Sequence, residues 1–261
     1  MRIAIIGTGN IGSWLTKEFS SEHEIAVYNR TLEKAELLAK KIKKVRVLSG
    51  FSELNDFAPE LLINAVSLPN TVSVFQEAVK YIPKGCVICD VASIKGEIPK
   101  YYKESGFKFV SVHPMFGPTF ANIKNLSEES AVIIKESDLQ IAAFFRKFFQ
   151  SLKLKIFEYT FDEHDKIMAY SLTIPFISTL VFAACIDKTT VPGTTFKKHI
   201  HIAKGLLSEN DWLLAEILFN LDSLKELEKI ISRLEFLKHI IKGKDYEEAK
   251  RFFRKLRKNV Y

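Results

Sequence analysis

A histidine followed at once by a proline ends one apolar run of this chain, Val112-His113-Pro114-Met115-Phe116-Gly117-Pro118. An imidazole titrates near neutral pH, so a ring pinned just past a strand is well placed to accept or return a proton. Upstream, a second run ends in Asp90-Val91-Ala92-Ser93-Ile94-Lys95-Gly96 and offers a hydroxyl at Ser93 and an ammonium at Lys95. Near the start, Gly7-Thr8-Gly9-Asn10-Ile11-Gly12 has the spacing GxGxxG, immediately after one apolar run and at the head of an amphipathic stretch. In that context the first glycine makes a tight turn and the second lets backbone N–H groups approach a pyrophosphate. The third lets the helix close on the strand, and the helix N-terminus faces the anion with its positive end. These features predict a site for a nicotinamide dinucleotide.

The next apolar run ends Val27-Tyr28-Asn29-Arg30-Thr31. An NAD site ordinarily has an acid here for the ribose 2′-hydroxyl, whereas Arg30 can pair with a 2′-phosphate and Thr31 can cap the next helix or donate to the same phosphate. NADP is therefore preferred over NAD, with a solvated Arg30 as the plain alternative. Ser67, in Ser67-Leu68-Pro69-Asn70, leaves another strand and is expected on the nicotinamide-ribose side. The cofactor set is thus Gly7, Gly9, Asn10, Ile11, Gly12, Asn29, Arg30, Thr31 and Ser67.

The elements that must position these groups alternate. Strand-like runs are read at Arg2–Ile6, Glu24–Tyr28, Val45–Leu48, Leu61–Val66, Cys86–Val91, Lys108–Val112, Ala131–Ile134 and Lys155–Tyr159. Helical patterns fill gaps at Ile11–Ser20, Thr31–Lys41, Val72–Tyr81 and Leu139–Leu152. This alternation predicts a mostly parallel sheet covered by helices on both faces. From Phe161 the strand signal stops, and helices are expected at 162–187, 194–220, 222–242 and 244–259. The fold class is therefore α/β: a Rossmann dinucleotide-binding domain over residues 1–160 and a C-terminal all-helical domain over residues 161–261.

Composition narrows the function classes. The +7 formal charge of 261 residues is spread along helical segments, and no nucleic-acid reader motif accompanies it. Cys86 and Cys89 have CxxC spacing but lie in one strand-like run, where positions three apart point to opposite faces; they are read as small buried side chains, and no metal site is expected. His199 and His201, two apart on a predicted helix, do not face together. No signal peptide is expected before the first strand, and the apolar stretch Leu172–Ile186 is read as too short and interrupted to span a bilayer. A cytoplasmic protein follows, bound neither to membrane nor to nucleic acid.

Taken in order, the glycine motif, the serine turn, the His113 motif and Glu163-His164-Asp165 at the head of a helical region resemble the prephenate/arogenate dehydrogenase family, over nearly the whole chain. The resemblance implies oxidative decarboxylation of prephenate or arogenate, on the way to tyrosine, by a homodimer joined through its helical domain. It implies that His113 is the catalytic histidine, accepting a hydrogen bond from the ring hydroxyl, and that Ser93 contacts the same hydroxyl. Lys95 lies beside them, either binding substrate or solvated at a helix start. Two departures stand out. Many members have a second active-site histidine where this chain reads Leu172-Thr173-Ile174-Pro175-Phe176. The family's carboxylate-gripping arginine falls at Gly205, with Lys204 beside it, so Lys204 is the substrate-binding candidate, with Lys197 or Lys198 as alternatives. His164 and Asp165 are expected to start a helix and join the domains. Because the motifs and helices use up the chain, no fused mutase or regulatory domain is expected. Two other readings stay open: another two-domain reductase of the β-hydroxyacid or imine type, and a non-catalytic NADP-sensing protein.

Overall fold

The computed structural model describes residues 1–261 except Lys43, 118–124, 188–190, Asn210 and Leu221. Eight strands, β1 (Arg2–Ile6), β2 (Glu24–Tyr28), β3 (Val45–Leu48), β4 (Leu61–Asn64), β5 (Val87–Asp90), β6 (Phe109–Pro114), β7 (Ser130–Ile134) and β8 (Lys155–Tyr159), form one sheet. Its order is β3-β2-β1-β4-β5-β6-β7-β8. The first six strands are parallel and follow the order of a dinucleotide-binding sheet, with the direction of winding reversing between β1 and β4. β7 runs antiparallel to β6, pairing His113 with Val132, and β8 is parallel to β7. Every predicted strand is present. β6 is longer than its apolar run, so His113 and Pro114 are its last two residues rather than part of the following turn.

Helices α1 (Asn10–Phe19), α2 (Leu32–Lys41), α3 (Leu54–Phe57), α4 (Leu68–Ala78), α5 (Ile98–Ser105) and α6 (Leu139–Ser151) accompany the sheet. α3 and α5 are one to two turns long, too short for the periodicity that revealed the others. Period-two side chains divide the core. Ile3, Ile5, Val27, Ile63 and Cys89 pack on one face with Trp14, Phe145 and Phe149. Ala4, Ile6, Ala26, Ile88 and Cys86 pack on the other with Phe75 and Tyr102. The two cysteines do lie on opposite faces; burial pushes the Cys86 thiol up to about 12 and the Cys89 thiol well above its usual range. Each fully buried aliphatic or aromatic side chain in these layers contributes about 1.5–3 kcal/mol.

The remaining helices are α7 (Phe161–Ala184), α8 (Thr194–Leu206), α9 (Asp211–Leu218), α10 (Ser223–Gly243) and α11 (Tyr246–Val260). The single helix predicted over 194–220 is therefore two. The amide and hydroxyl of Ser208 both bond the carbonyl of Gly205 and close α8 before Asp211 opens α9. α7 also departs from expectation. It runs 24 residues with a mean hydropathy of 1.8 over its most apolar window, long and apolar enough by length and composition to cross a membrane. The apolar stretch read from Leu172 missed its first turns.

Compactness divides the chain into Met1–Met168 with Lys204–Glu216, and Ala169–Ala203 with Ile217–Tyr261. In the second unit, Thr173 and Ser223 share a buried hydroxyl–hydroxyl bond of 2.8 Å, and Ser223 also donates to the carbonyl of Ile217. Phe182 meets Phe196 edge-on, as Phe236 does Phe252. Asp245 caps α11 by accepting from the amides of Glu247 and Glu248.

Candidate active site

The glycine loop is fixed by contacts no side chain could tolerate. Gly7 has φ +96°, and a Cβ there would lie 2.7 Å from the carbonyl oxygen of Ala65. A Cβ on Gly12 would lie 1.9 Å from the carbonyl oxygen of Gly7, so α1 closes on the loop only because this residue is glycine. Gly9 has nothing within 4 Å of its would-be Cβ. As N-cap of α1 it supplies no side-chain cap, leaving the first amides, at Asn10, Ile11 and Gly12, for an outside acceptor. The hydroxyl of Thr8 is buried with no partner among the described residues. An open approach, uncapped amides and an unused buried hydroxyl fit a bound dinucleotide phosphate.

Asn29 does a different job from the acid it replaces. Its Oδ1 accepts from the Thr8 amide at 3.2 Å, and its Nδ2 donates to the carbonyl of Thr31 at 2.9 Å. The side chain ties the end of β2 to the glycine loop. Arg30 is exposed and makes no ion pair with the described residues. Thr31 is the N-cap of α2 but makes no capping bond, and Ser67 is the N-cap of α4, its hydroxyl accepting from Asn70 Nδ2.

At the ends of β5 and β6 side chains build the site. His113 is 6% exposed and His164 fully buried. His113 Nδ1 lies 3.1 Å from His164 Nε2, and His164 Nδ1 lies 2.8 Å from Asp165 Oδ1. Asp165 also accepts from the amides of Lys95 and Gly96, at 3.0 and 3.1 Å. The end of the serine turn, the end of β6 and the first turns of α7 thereby meet in one chain of hydrogen bonds. Burial first, then His164 and the Lys95 ammonium, holds His113 well below the ordinary imidazole range. Burial also lowers His164, more than Asp165 raises it. Burial pushes the Asp165 carboxyl up, but the His164 hydrogen bond and the two amides outweigh it and leave it below its usual value. Both rings are neutral bases at physiological pH, and among the described residues His113 Nε2 has no protein partner.

Lys95 and the pair His164–Asp165 differ from their sequence expectations. Lys95 neither faces substrate nor lies solvated: its side chain is fully buried, with Nζ 2.7 Å from Asp90 Oδ2 and 2.9 Å from the carbonyl of Val112. Tyr102 donates to the other Asp90 oxygen at 2.7 Å. Lys95 therefore closes the serine turn back on Asp90 and fastens it to the residue before His113. His164 and Asp165 do not start α7. Thr160 and Glu163 do, by a reciprocal capping box: Glu163 donates its amide to Thr160 Oγ1 at 3.2 Å and accepts the Thr160 amide at 2.8 Å. That cap frees the next two residues to point inward. The Thr-x-x-Glu spacing was readable and would have reassigned them.

Ser93 is half-buried and, among the described residues, makes no side-chain hydrogen bond; it lies within the turn that Asp90 and Lys95 close. Phe116 packs edge-on against Trp14 at 5.0 Å and anchors the segment after His113 in the core, while Pro118 lies outside the described residues. Lys204, Lys197 and Lys198 are exposed; Lys204 falls in the first compact unit and Lys197 in the second.

A family model described as the nucleotide-binding domain of prephenate dehydrogenase matches residues 16–155. The chain belongs to the prephenate dehydrogenase family. A probable arogenate/prephenate dehydrogenase of Methanocaldococcus jannaschii is 25% identical over 95% of this chain, which spans 58% of that protein's length. Among solved structures, Aquifex aeolicus prephenate dehydrogenase, in complex with hydroxyphenyl propionate and NAD+, superposes with a TM-score of 0.85. It is 15% identical, and the match covers 100% of this chain and 97% of that one. Synechocystis arogenate dehydrogenase gives a TM-score of 0.77 at 17% identity, covering 100% and 99%. At these identities the structures establish the fold, a Rossmann domain with C-terminal helices, and the matching family model is that of a nucleotide-binding domain.

Proposed function

We propose that this protein is a prephenate or arogenate dehydrogenase that prefers NADP and carries out oxidative decarboxylation with His113 as general base. The observation that carries this reading is a buried, neutral imidazole at the end of β6 with its Nδ1 already bonded and its Nε2 left for a ligand.

A nicotinamide bound along the glycine loop would supply the hydride acceptor. The chain's own residues then have defined tasks. The amides of Asn10, Ile11 and Gly12 and the Thr8 hydroxyl hold the pyrophosphate. Arg30, exposed and unpaired beside an Asn29 whose oxygen is taken, meets a 2′-phosphate. Ser67 lines the ribose. Ser93 and His113 share the substrate ring hydroxyl. As its carbon gives up hydride, the hydroxyl proton passes to His113 Nε2; loss of the ring carboxylate as carbon dioxide leaves its bonding pair to aromatise the ring. A neutral acceptor is what that proton transfer needs. Lys204, or in its place Lys197 or Lys198, grips a substrate carboxylate as a point charge instead of the arginine fork. We assign residues 161–261 to substrate cover and homodimer formation, in the cytoplasm; the apolar α7, 17% buried over its most apolar window within one chain, supports a covering partner.

The test is turnover by the full-length protein with prephenate and with arogenate, each with NAD and with NADP, followed by the near-ultraviolet absorbance of reduced nicotinamide. Turnover of at least one substrate, faster with NADP, is the expected result. Tight dinucleotide binding without turnover of either substrate would overturn it in favour of a sensor, the reading that Gly205 and the absent histidine in Leu172–Phe176 would then explain.

A further inference from the structure

The proposed reaction uses one edge of one imidazole, His113 Nε2, and leaves His164 and Asp165 without a task. The hydrogens along their chain can be counted. An ionised carboxylate only accepts, and Asp165 already accepts from the Lys95 and Gly96 amides. The 2.8 Å contact between Asp165 Oδ1 and His164 therefore requires a proton on His164 Nδ1. A neutral imidazole carries one proton, so His164 Nε2 is a bare lone pair. The 3.1 Å contact that this nitrogen makes with His113 Nδ1 is then a hydrogen bond only if His113 Nδ1 carries the proton. The other neutral tautomer would set two lone pairs against each other. A doubly protonated His164 would satisfy the geometry, but it would bury a cation completely, near the Lys95 ammonium.

We propose that Asp165 and His164 are positioning residues that preset His113 as the Nδ1–H tautomer, so that its lone pair is at Nε2 before any substrate arrives. The step they serve rests on the proposed dehydrogenase reading; the tautomer itself does not. The same chain acts after proton uptake. When His113 Nε2 gains the hydroxyl proton, its Nδ1–H bond to His164 becomes charge-assisted, and Asp165 polarises His164 in the same sense. The charged groups facing the pair are Lys95 from the serine turn, which opposes the cation, Asp90 at the end of β5, which favours it, and Asp165 on α7. The logic is that of a catalytic triad with a second imidazole between acid and base.

Long-range proton–nitrogen spectra of the 15N-labelled full-length protein near neutral pH read directly which ring nitrogens are protonated, with His113→Asn and His164→Gln used for assignment. The expected result is that both rings carry their proton on Nδ1. A His113 protonated on Nε2 overturns the proposal, whether or not the enzyme turns over. A preset His113 in a protein that oxidises neither substrate instead overturns the functional reading and leaves this one intact. Asp165→Asn sharpens the test, because an amide can accept from the Lys95 and Gly96 backbone and present its N–H₂ to His164. His164 then protonates on Nε2 and His113 follows. Turnover should fall by about 10²–10⁴, the range for a lost or mis-set base, with little change in KM or dinucleotide affinity. His164→Gln, whose carbonyl can still accept from His113 Nδ1–H, should keep more turnover than His164→Leu. Equal losses in those two variants, with the wild-type tautomer unchanged in Asp165→Asn, would also overturn it.

Discussion

The loop after β1 and the cluster after β6 belong to the same compact unit but are built by opposite means. At the loop the distinctive features are all backbone: φ +96° at Gly7, a Gly12 with no room for a methyl group, and no side-chain cap at the head of α1. At the cluster the backbone mostly serves side chains. The amides of Lys95 and Gly96 fix Asp165, the carbonyl of Val112 takes a hydrogen bond from Lys95, and the proposed working group is one ring nitrogen, His113 Nε2. A site made of backbone fails by geometry, all at once. A site made of buried ionisable side chains fails by protonation state, and so by degrees and with pH.

Substituting Gly12 by alanine should give the largest effect. Its Cβ would lie 1.9 Å from the Gly7 carbonyl oxygen, so α1 must back away from the loop. Titration with NADP should find no measurable binding, and overpacking should cost about 1–3 kcal/mol in denaturant melts. Normal affinity would show that the loop is not made by close approach. His113→Asn should do the reverse. Dinucleotide affinity stays, and turnover falls about 10²–10⁴. If affinity falls with it, the two regions are not separable as described.

Lys95→Met tests the cluster's foundation. It strands Asp90, fully buried, with Tyr102 as its remaining side-chain partner, and removes the tie to Val112. Losing one member of a buried ion pair costs about 3–5 kcal/mol, so denaturant melts should lose that much. Lys95→Met combined with Asp90→Asn should recover part of it, since no uncompensated charge then remains. A loss under about 1 kcal/mol, the ordinary value for an exposed pair, would refute the burial.

How much of this was legible depended on how far apart in sequence the partners lie. The glycine loop is specified within Gly7–Gly12, where each residue type answers a local need, and the placement of His113 at the end of β6 and of Ser93 just past β5 was readable because each closes an apolar run. The strands themselves were legible throughout, and only the short helices α3 and α5 lacked a period to read. His164 escaped because its partner is 51 residues away, and Asp165 because its amides are 69 and 70 away. Nothing local distinguishes an inward-facing acid from one that caps a helix, except that Thr160 and Glu163 had already supplied the cap. Lys95 was misread because a lysine after a turn is ordinarily solvated; its burial depends on Asp90, Tyr102 and the Val112 carbonyl converging from three elements.

The pH dependence of stability separates the two regions again, with nothing titratable expected from the glycine loop. His113 and His164 are both held below the ordinary 6.5 of an imidazole. As pH falls through that value the unfolded chain takes up protons that the folded chain refuses. Stability is therefore complete above about pH 6.5 and declines below it, until the folded-state values are reached. Asp165 acts in a separate window: its carboxyl is lowered from 3.8, so its contribution is present above that value and is lost only in stronger acid. Melts of the wild type between about pH 7.5 and 5 should show the decline, and His113→Asn should flatten it. An unchanged slope would mean that the ring is not buried as a neutral base.

The smallest effect expected is on choice of dinucleotide, and it probes whether side chains matter at the glycine end at all. Asn29 Oδ1 is committed to the Thr8 amide, so the residue that replaces the usual ribose-binding acid holds the loop. On the proposed preference for NADP, discrimination falls to Arg30, exposed and free of ion pairs with the described residues. A solvated guanidinium–phosphate contact is worth roughly 1.4 kcal/mol, near the low end for charged hydrogen bonds and equal to about tenfold in affinity. Arg30→Ala should weaken NADP by about that factor and leave NAD unchanged, both measured by calorimetry. Equal weakening of both would mean that Arg30 contributes only a diffuse positive field; no weakening of either would return the preference to the backbone, and with it the whole of that region.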